Sequence, residues 1–213
     1  MVTIIPSIAS ANLISIKEEI LRIGPGKQLH LDIEDGNFVP NITFGTKIVK
    51  EINDNFNLSL NIHLMTNNPF LYIADLVKYN NVKKIVVHIE SIAFPLQIIN
   101  YIKSLGLSAG LALNLKTPIE EIACFKNEID FILIMTSEPD NKGQIFNHLS
   151  LEKIKEARMI LPLEKHIWVD GGIGEKEIKL VYSEGADTII IGRAIFNSKY
   201  PHKKIKYLKS LCK

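Results

Sequence analysis

The chain has 213 residues, with 25 Lys and Arg against 23 Asp and Glu, leaving a net charge of +2. A hydrophobic share of 46% beside 23% charged residues is that of a globule with a sizeable core, and so even a charge balance excludes a protein held to nucleic acid by phosphate contacts. Two distant cysteines suit a reducing compartment, the N-terminus lacks the basic start of a signal peptide, and no apolar stretch reaches the length of a membrane span, so secreted, membrane and fibrous classes are excluded and a cytoplasmic chain is expected.

In chain order, β-branched runs at 2–5, 28–32, 58–64, 84–89, 108–114, 131–135, 166–169 and 188–191 alternate with amphipathic stretches such as 13–23, 69–79, 96–105, 151–161 and 175–184. Strict alternation of strand and helix predicts a parallel sheet with helical crossovers. Eight such units without a linker predict one (β/α)₈ TIM barrel over residues 1–213. The structural alternative is a doubly wound open sheet. It would carry a glycine fingerprint after its first strand, where Ile5-Pro-Ser-Ile-Ala-Ser stands instead.

The apolar runs stop at Ser7, Asp32, His63, His88, Asn114, Met135, Asp170 and Gly192. In a barrel these ends converge on one face, where barrel enzymes keep their chemistry. His30 and Asp32 share strand parity and face the same side. With His63 and Asp170 they make a two-histidine, two-carboxylate set suited to one divalent ion, Zn²⁺ first, with Fe²⁺, Mn²⁺ or Co²⁺ open. The plainer reading of His30 and Asp32 is a hydrogen-bonded pair inside the barrel. Asp32 and Asp170 end different strands and approach a substrate from different sides. That is what proton removal and return on opposite faces of one carbon requires, the metal stabilising an enediolate.

Asp170-Gly171-Gly172-Ile173-Gly174 and Ile191-Gly192-Arg193 follow the seventh and eighth strands, the usual phosphate cradle of barrels. Arg193 is one of only three arginines and offers a bidentate fork. Gly24-Pro25-Gly26-Lys27 lacks the spacing of a P-loop and reads as a helix-ending turn. The C-terminal lysines read as a solvated helix face. Cys124 is expected in the core, and His148, His166 and His202 as structural or surface residues.

Taken together, the residues resemble the ribulose-phosphate 3-epimerase family over essentially the whole chain. The resemblance is carried by Pro6-Ser7-Ile8, the segment 30–45, His63-Leu-Met65, Val87-His-Ile-Glu90, Met135-Thr136 with Pro139, Gly143-Gln144 and Val169-Asp-Gly-Gly172. It implies epimerisation at C3 of a ketose 5-phosphate, interconverting D-ribulose and D-xylulose 5-phosphates. By residue match, His30, Asp32, His63 and Asp170 would hold the metal, and Asp32 and Asp170 would serve as acid and base. Ser7 would contact substrate, Met65 and Met135 would wall the enediolate, and Gly143 would belong to the lid. The family's oligomers imply a homo-oligomer, and its substrates imply a small sugar phosphate as partner.

Three positions depart from the family. Glu34 stands where Met is usual. It shares the inward parity of Asp32 and is expected to be protonated, paired with a cation, bound to a substrate hydroxyl or turned away. The glycine-rich lid reads Pro139-Asp140-Asn141-Lys142-Gly143-Gln144, so Lys142 could replace backbone contacts to phosphate. Arg193 replaces a small Ser. Two further readings stay open: epimerisation of another sugar phosphate, such as a ketohexose 6-phosphate, and a homologue that binds metal and sugar phosphate without turnover.

Overall fold

Eight strands run parallel in the order β1-β8-β7-β6-β5-β4-β3-β2. They are β1 (Thr3–Pro6), β2 (Gln28–Glu34), β3 (Ser59–Met65), β4 (Val82–His88), β5 (Ser108–Leu113), β6 (Phe131–Met135), β7 (His166–Asp170) and β8 (Thr188–Ile191). A parallel bridge between Ser7 and His30 joins the two outer strands and closes the (β/α)₈ barrel. This is a computed structural model that describes residues 2–25, 27–139 and 143–212.

Helices follow the strands: α1 (Ile16–Ile23), α2 (Thr46–Asn55), α3 (Pro69–Leu76), α4 (Pro95–Ser104), α5 (Glu120–Ala123), α6 (Ser150–Ile160), α7 (Glu177–Ser183), α8 (Arg193–Phe196) and α9 (Pro201–Ser210). Pro69, Pro95 and Pro201 open their helices, where a missing N–H has no cost and the fixed φ is already helical. The first amphipathic stretch begins later than its periodicity suggests. Asn12 accepts from the Ile14 N–H and winds residues 13–15 into a 3₁₀ turn before α1 starts. Gly24 ends α1, as expected of the Gly-Pro-Gly turn.

Each strand is buried on both faces, which explains the continuous apolar runs. Leu29, Leu31 and Ile33 of β2 pack outward in the shell beneath the helices, with Ile62, Ile85, Leu111, Ile132 and Ile189 from other strands. The barrel interior holds a second cluster: Ile5, Val86, Ala112, Phe131, Leu133, Met135, Trp168 and Ile190. Phe131 and Trp168 stack with ring centroids 4.3 Å apart. Cys124 departs from expectation. It caps the single turn of α5, too short to bury its flank, and is exposed. His148, His166 and His202 lie on the surface.

The Phe131 ring lies where a side chain at Gly110 on β5 would stand, so a Cβ there would overlap the ring edge. Overpacking of a rigid core typically costs about 1–3 kcal/mol. Gly110→Ala should therefore lose about that much stability in urea unfolding, and Gly110→Ala with Phe131→Leu should lose less than the sum of the single changes.

Candidate active site

The polar layer sits at the C-terminal mouth of the barrel, above the Phe131–Trp168 plug. Period-two alternation on β2 turns His30, Asp32 and Glu34 inward. Strand register then sets Asp32 beside His63 of β3, Glu34 beside Met65 and Met135 beside Asp170. His30 Nε2 lies 3.1 Å from Asp32 Oδ1 and 3.6 Å from Asp170 Oδ2. His63 Nδ1 lies 3.1 Å from the same Asp32 oxygen and 3.8 Å from the same Asp170 oxygen. Ser7 donates to the other Asp32 oxygen at 2.5 Å.

One donor atom from each of His30, Asp32, His63 and Asp170 falls within 4.8 Å of all the others. Both ring nitrogens of His30 are buried without a hydrogen bond, although Nε2 faces two carboxylates. A buried, unpaired imidazole is costly unless something else takes its lone pair. Two imidazole nitrogens and two carboxylate oxygens are a donor set for a borderline divalent ion. These residues fit such an ion, and the plainer pairing of His30 with Asp32 is present beside that reading, with Nε2 3.1 Å from Oδ1.

Burial alone would raise the Asp32 carboxyl, but the adjacent His30 and His63 outweigh it and hold Asp32 well below the usual carboxylate range. Asp170 goes the other way: burial, reinforced by the Asp32 charge, pushes it up to about 8. Burial lowers His63 to about 4, keeping the ring neutral at pH 7. Burial opposes a charge on His30 too, yet the neighbouring Asp32 raises it. The two carboxyls are thus split into one that stays ionised and one that keeps its proton, the pattern that separates a base from an acid.

Above the cluster opens a cavity of about 550 Å³, within the range of small-molecule sites. Met65 and Met135 form apolar walls, and Ser7, Gly143, Gly171, Gly172, Gly192 and Arg193 surround the rest. Gly171 and Gly172 both take positive φ, +118° and +67°, and a Cβ on either would meet backbone of the neighbouring loop. Only glycine lets that loop lie so close to the cavity. The Gly174 N–H is already taken by Glu177 at 2.9 Å and is not free for an anion.

The sequence motifs point to this mouth, with some differences in detail. Arg193 donates through one terminal nitrogen to the Gly143 carbonyl and through the other to Gln144 O at 2.6 Å. Its fork grips the backbone at Gly143 and Gln144 while the residue itself lines the cavity. Lys142 lies outside the described residues. His88 ends β4 and Asn114 follows β5, but neither lines the cavity: His88 turns to His63, and the Asn114 N–H goes to Glu90. Sequence reading missed Thr43, which donates to the Asp32 carbonyl at 2.5 Å and accepts from the Glu34 N–H at 3.2 Å. Its place inside the segment 30–45 was the available signal.

A model of the ribulose-phosphate 3 epimerase family matches residues 3–196. The ribulose-phosphate 3-epimerase of Bacillus subtilis is 34% identical, covering 98% of this chain and 99% of its own. The enzyme of that name from Methanocaldococcus jannaschii is 33% identical over 98% of this chain and 90% of its own, and the cytoplasmic isoform from Oryza sativa is 35% identical over 97% and 92%. Among solved structures, orotidine 5'-phosphate decarboxylase from Pyrococcus horikoshii superposes at TM-score 0.71 with 14% identity, covering 99% of each chain. KGPDC from Streptococcus mutans reaches 0.74 with 12% identity over 100% of this chain and 97% of its own. These two share the fold.

Glu34 is buried at the cavity wall with no ion pair among the described residues, and burial together with the Asp32 charge raises its carboxyl to about 7. The folded state then binds a proton that the unfolded chain, near the ordinary 4.5, gives up, so this group's contribution falls as pH rises from about 4.5 to 7. In metal-free protein, Glu34→Met should therefore gain on wild type between pH 5 and pH 8. The expected gain is about 2–3 kcal/mol at ~1.4 kcal/mol per pH unit, read from urea midpoints with chelator present.

Proposed function

The chain belongs to the ribulose-phosphate 3-epimerase family, and from that premise we propose that it interconverts D-ribulose 5-phosphate and D-xylulose 5-phosphate by two-base proton transfer at C3. The observation that carries this reading is the meeting of two carboxyls from different strands, Asp32 of β2 and Asp170 of β7, around the same two histidines at one cavity. Asp32 begins as the base and takes the C3 proton. Asp170 begins as the acid and delivers its proton to the opposite face, inverting the centre. The next turnover in reverse uses the same pair with roles exchanged.

His30, Asp32, His63 and Asp170 would hold one divalent ion, Zn²⁺ being the natural fit for this donor set and Fe²⁺, Mn²⁺ and Co²⁺ the alternatives. When bound, it supplies Lewis-acid stabilisation of negative charge developing on the substrate oxygens. Ser7, which donates to Asp32, keeps that carboxylate oriented and stands at the substrate's edge. Met65 and Met135 exclude water from the planar enediolate without offering it a competing proton. Gly143, Gly171, Gly172, Gly192 and Arg193 take the phosphate, and the neutral Glu34 carboxyl donates to a sugar hydroxyl.

We assign the same chemistry to soluble, cytoplasmic homo-oligomers as the working form of the protein. No helix among the described residues is long and apolar enough to cross a membrane.

In deuterium oxide, metal-replete wild type should exchange the C3 proton of ribulose 5-phosphate and form xylulose 5-phosphate, and Asp170→Asn should lose epimer formation by about 10²–10⁴-fold. Absence of exchange with this sugar but turnover of a ketohexose 6-phosphate would move the substrate assignment. Absence of exchange with any ketose phosphate would favour the non-catalytic homologue.

Arg193→Ala removes both the grip on the lid carbonyls and the nearby charge. It should raise KM for the phosphorylated sugar about tenfold or more, while bound metal per chain stays constant. An unchanged KM would remove Arg193 from the phosphate site.

A further inference from the structure

From the four-residue cluster runs a second set of polar side chains that do not line the cavity and that the reaction above does not use. His63 Nε2 meets His88 Nε2 at 2.9 Å. The ring centroids are 5.0 Å apart and the planes differ by only 18°. The rings are therefore nearly coplanar and meet nitrogen to nitrogen, the geometry of an in-plane N–H···N hydrogen bond rather than of a face-to-face stack. His88 Nδ1 in turn lies 3.1 Å from Glu90 Oε2. The other Glu90 oxygen accepts from the Asn114 N–H at 2.8 Å and from the Thr117 hydroxyl. Both histidines are fully buried.

Proton counting decides what this row can do. A neutral His63–His88 pair carries two ring protons, and one of them must occupy the bond between the two Nε2 atoms. The second can face Asp32, from His63 Nδ1, or Glu90, from His88 Nδ1, but not both. If it faces Glu90, then His63 donates to His88 and presents a bare Nδ1 lone pair to the four-residue cluster. If it faces Asp32, the Nδ1 position is blocked by hydrogen and cannot ligate. Burial would raise the Glu90 carboxyl, but the hydrogen bonds from His88, Thr117 and Asn114 outweigh it and hold it at about 2, so it is an acceptor only.

We propose that Glu90, acting through His88, is a positioning residue that fixes the His63 tautomer and so prepares Nδ1 as a metal ligand. The inference rests on the metal-dependent reading of the site. It adds to that reading a row Glu90–His88–His63 in which every N–H points away from the metal position. A carboxylate behind a ligating histidine is a general device for setting ring orientation and basicity. Here it works across a second imidazole.

Glu90→Gln tests the polarity of the row with almost no change of shape. The Asn114 N–H and the Thr117 hydroxyl hold the amide oxygen, which turns the amide NH₂ toward His88 Nδ1. His88 must then accept there, donate from Nε2 to His63, and leave the proton of His63 on Nδ1. Competition against a chromophoric chelator should show Zn²⁺ affinity falling about 10–100-fold in Glu90→Gln. In metal-free protein, ¹⁵N-edited histidine spectra should show the His88 proton moving from Nδ1 to Nε2. A second pair guards against a folding defect: His88→Gln can still donate to Glu90 and accept from His63, whereas His88→Phe can do neither. His88→Gln should bind Zn²⁺ within about threefold of wild type, and His88→Phe should fall as far as Glu90→Gln. Equal Zn²⁺ affinity in wild type, Glu90→Gln and His88→Phe would overturn the inference while leaving the metal reading intact. Wild type that binds no Zn²⁺, Mn²⁺, Fe²⁺ or Co²⁺ would overturn the metal reading and this inference with it.

Discussion

Four ionisable side chains, three buried and Asp170 partly so, set the terms for everything else at this barrel mouth. Water is excluded below them by the Phe131–Trp168 stack and its neighbours. Their charges can therefore be balanced by one another, by hydroxyls such as that of Ser7, by the His88–Glu90 pair bonded to His63, or by something entering from above. The opposite displacements of Asp32 and Asp170 follow directly. Two carboxylates close together in a dry place cannot both stay ionised, and the one beside both histidines keeps its charge. One charged and one protonated carboxyl, the split that a two-base reaction would use, thus arises from packing before any substrate is present.

Much of this was legible in the sequence because the information is local. Period-two alternation puts positions 30, 32 and 34 on one face, and a strand's apolar run stops where its side chains reach the mouth. That is why His30, Asp32, His63 and Asp170 could be brought together without coordinates. The barrel followed from eight alternations and from the absence of a dinucleotide fingerprint. Strand limits moved by a residue or two; β2 runs on past Asp32 because Glu34, although polar, faces inward and is still paired in the sheet with Met65.

What stayed hidden depends on distant partners. The grip of Arg193 on the lid spans fifty positions of sequence, and nothing near residue 193 announces it. A bidentate fork reads equally well as a phosphate ligand or a carbonyl clamp. Glu90 sits two residues from His88, yet its value lies in which ring nitrogen it faces, a matter of rotamer rather than spacing. Cys124 was expected in the core, but α5 makes a single turn and leaves its end in water.

The plug beneath the site has a further consequence, for the traffic of hydrogen. Ile5, Val86, Leu133, Trp168 and Ile190 are all at most 3% exposed and offer no polar chain through the barrel axis. Hydrogen that Asp32 or Asp170 trades with bulk solvent therefore does not pass down the barrel axis. Among the described residues two routes are left: the cavity mouth, which a sugar phosphate would also use, and the buried row from Asp32 through His63 and His88 to the partly exposed Glu90. With the mouth filled only the histidine row stays open, so washout of an isotopic label becomes a clock for proton passage along that row.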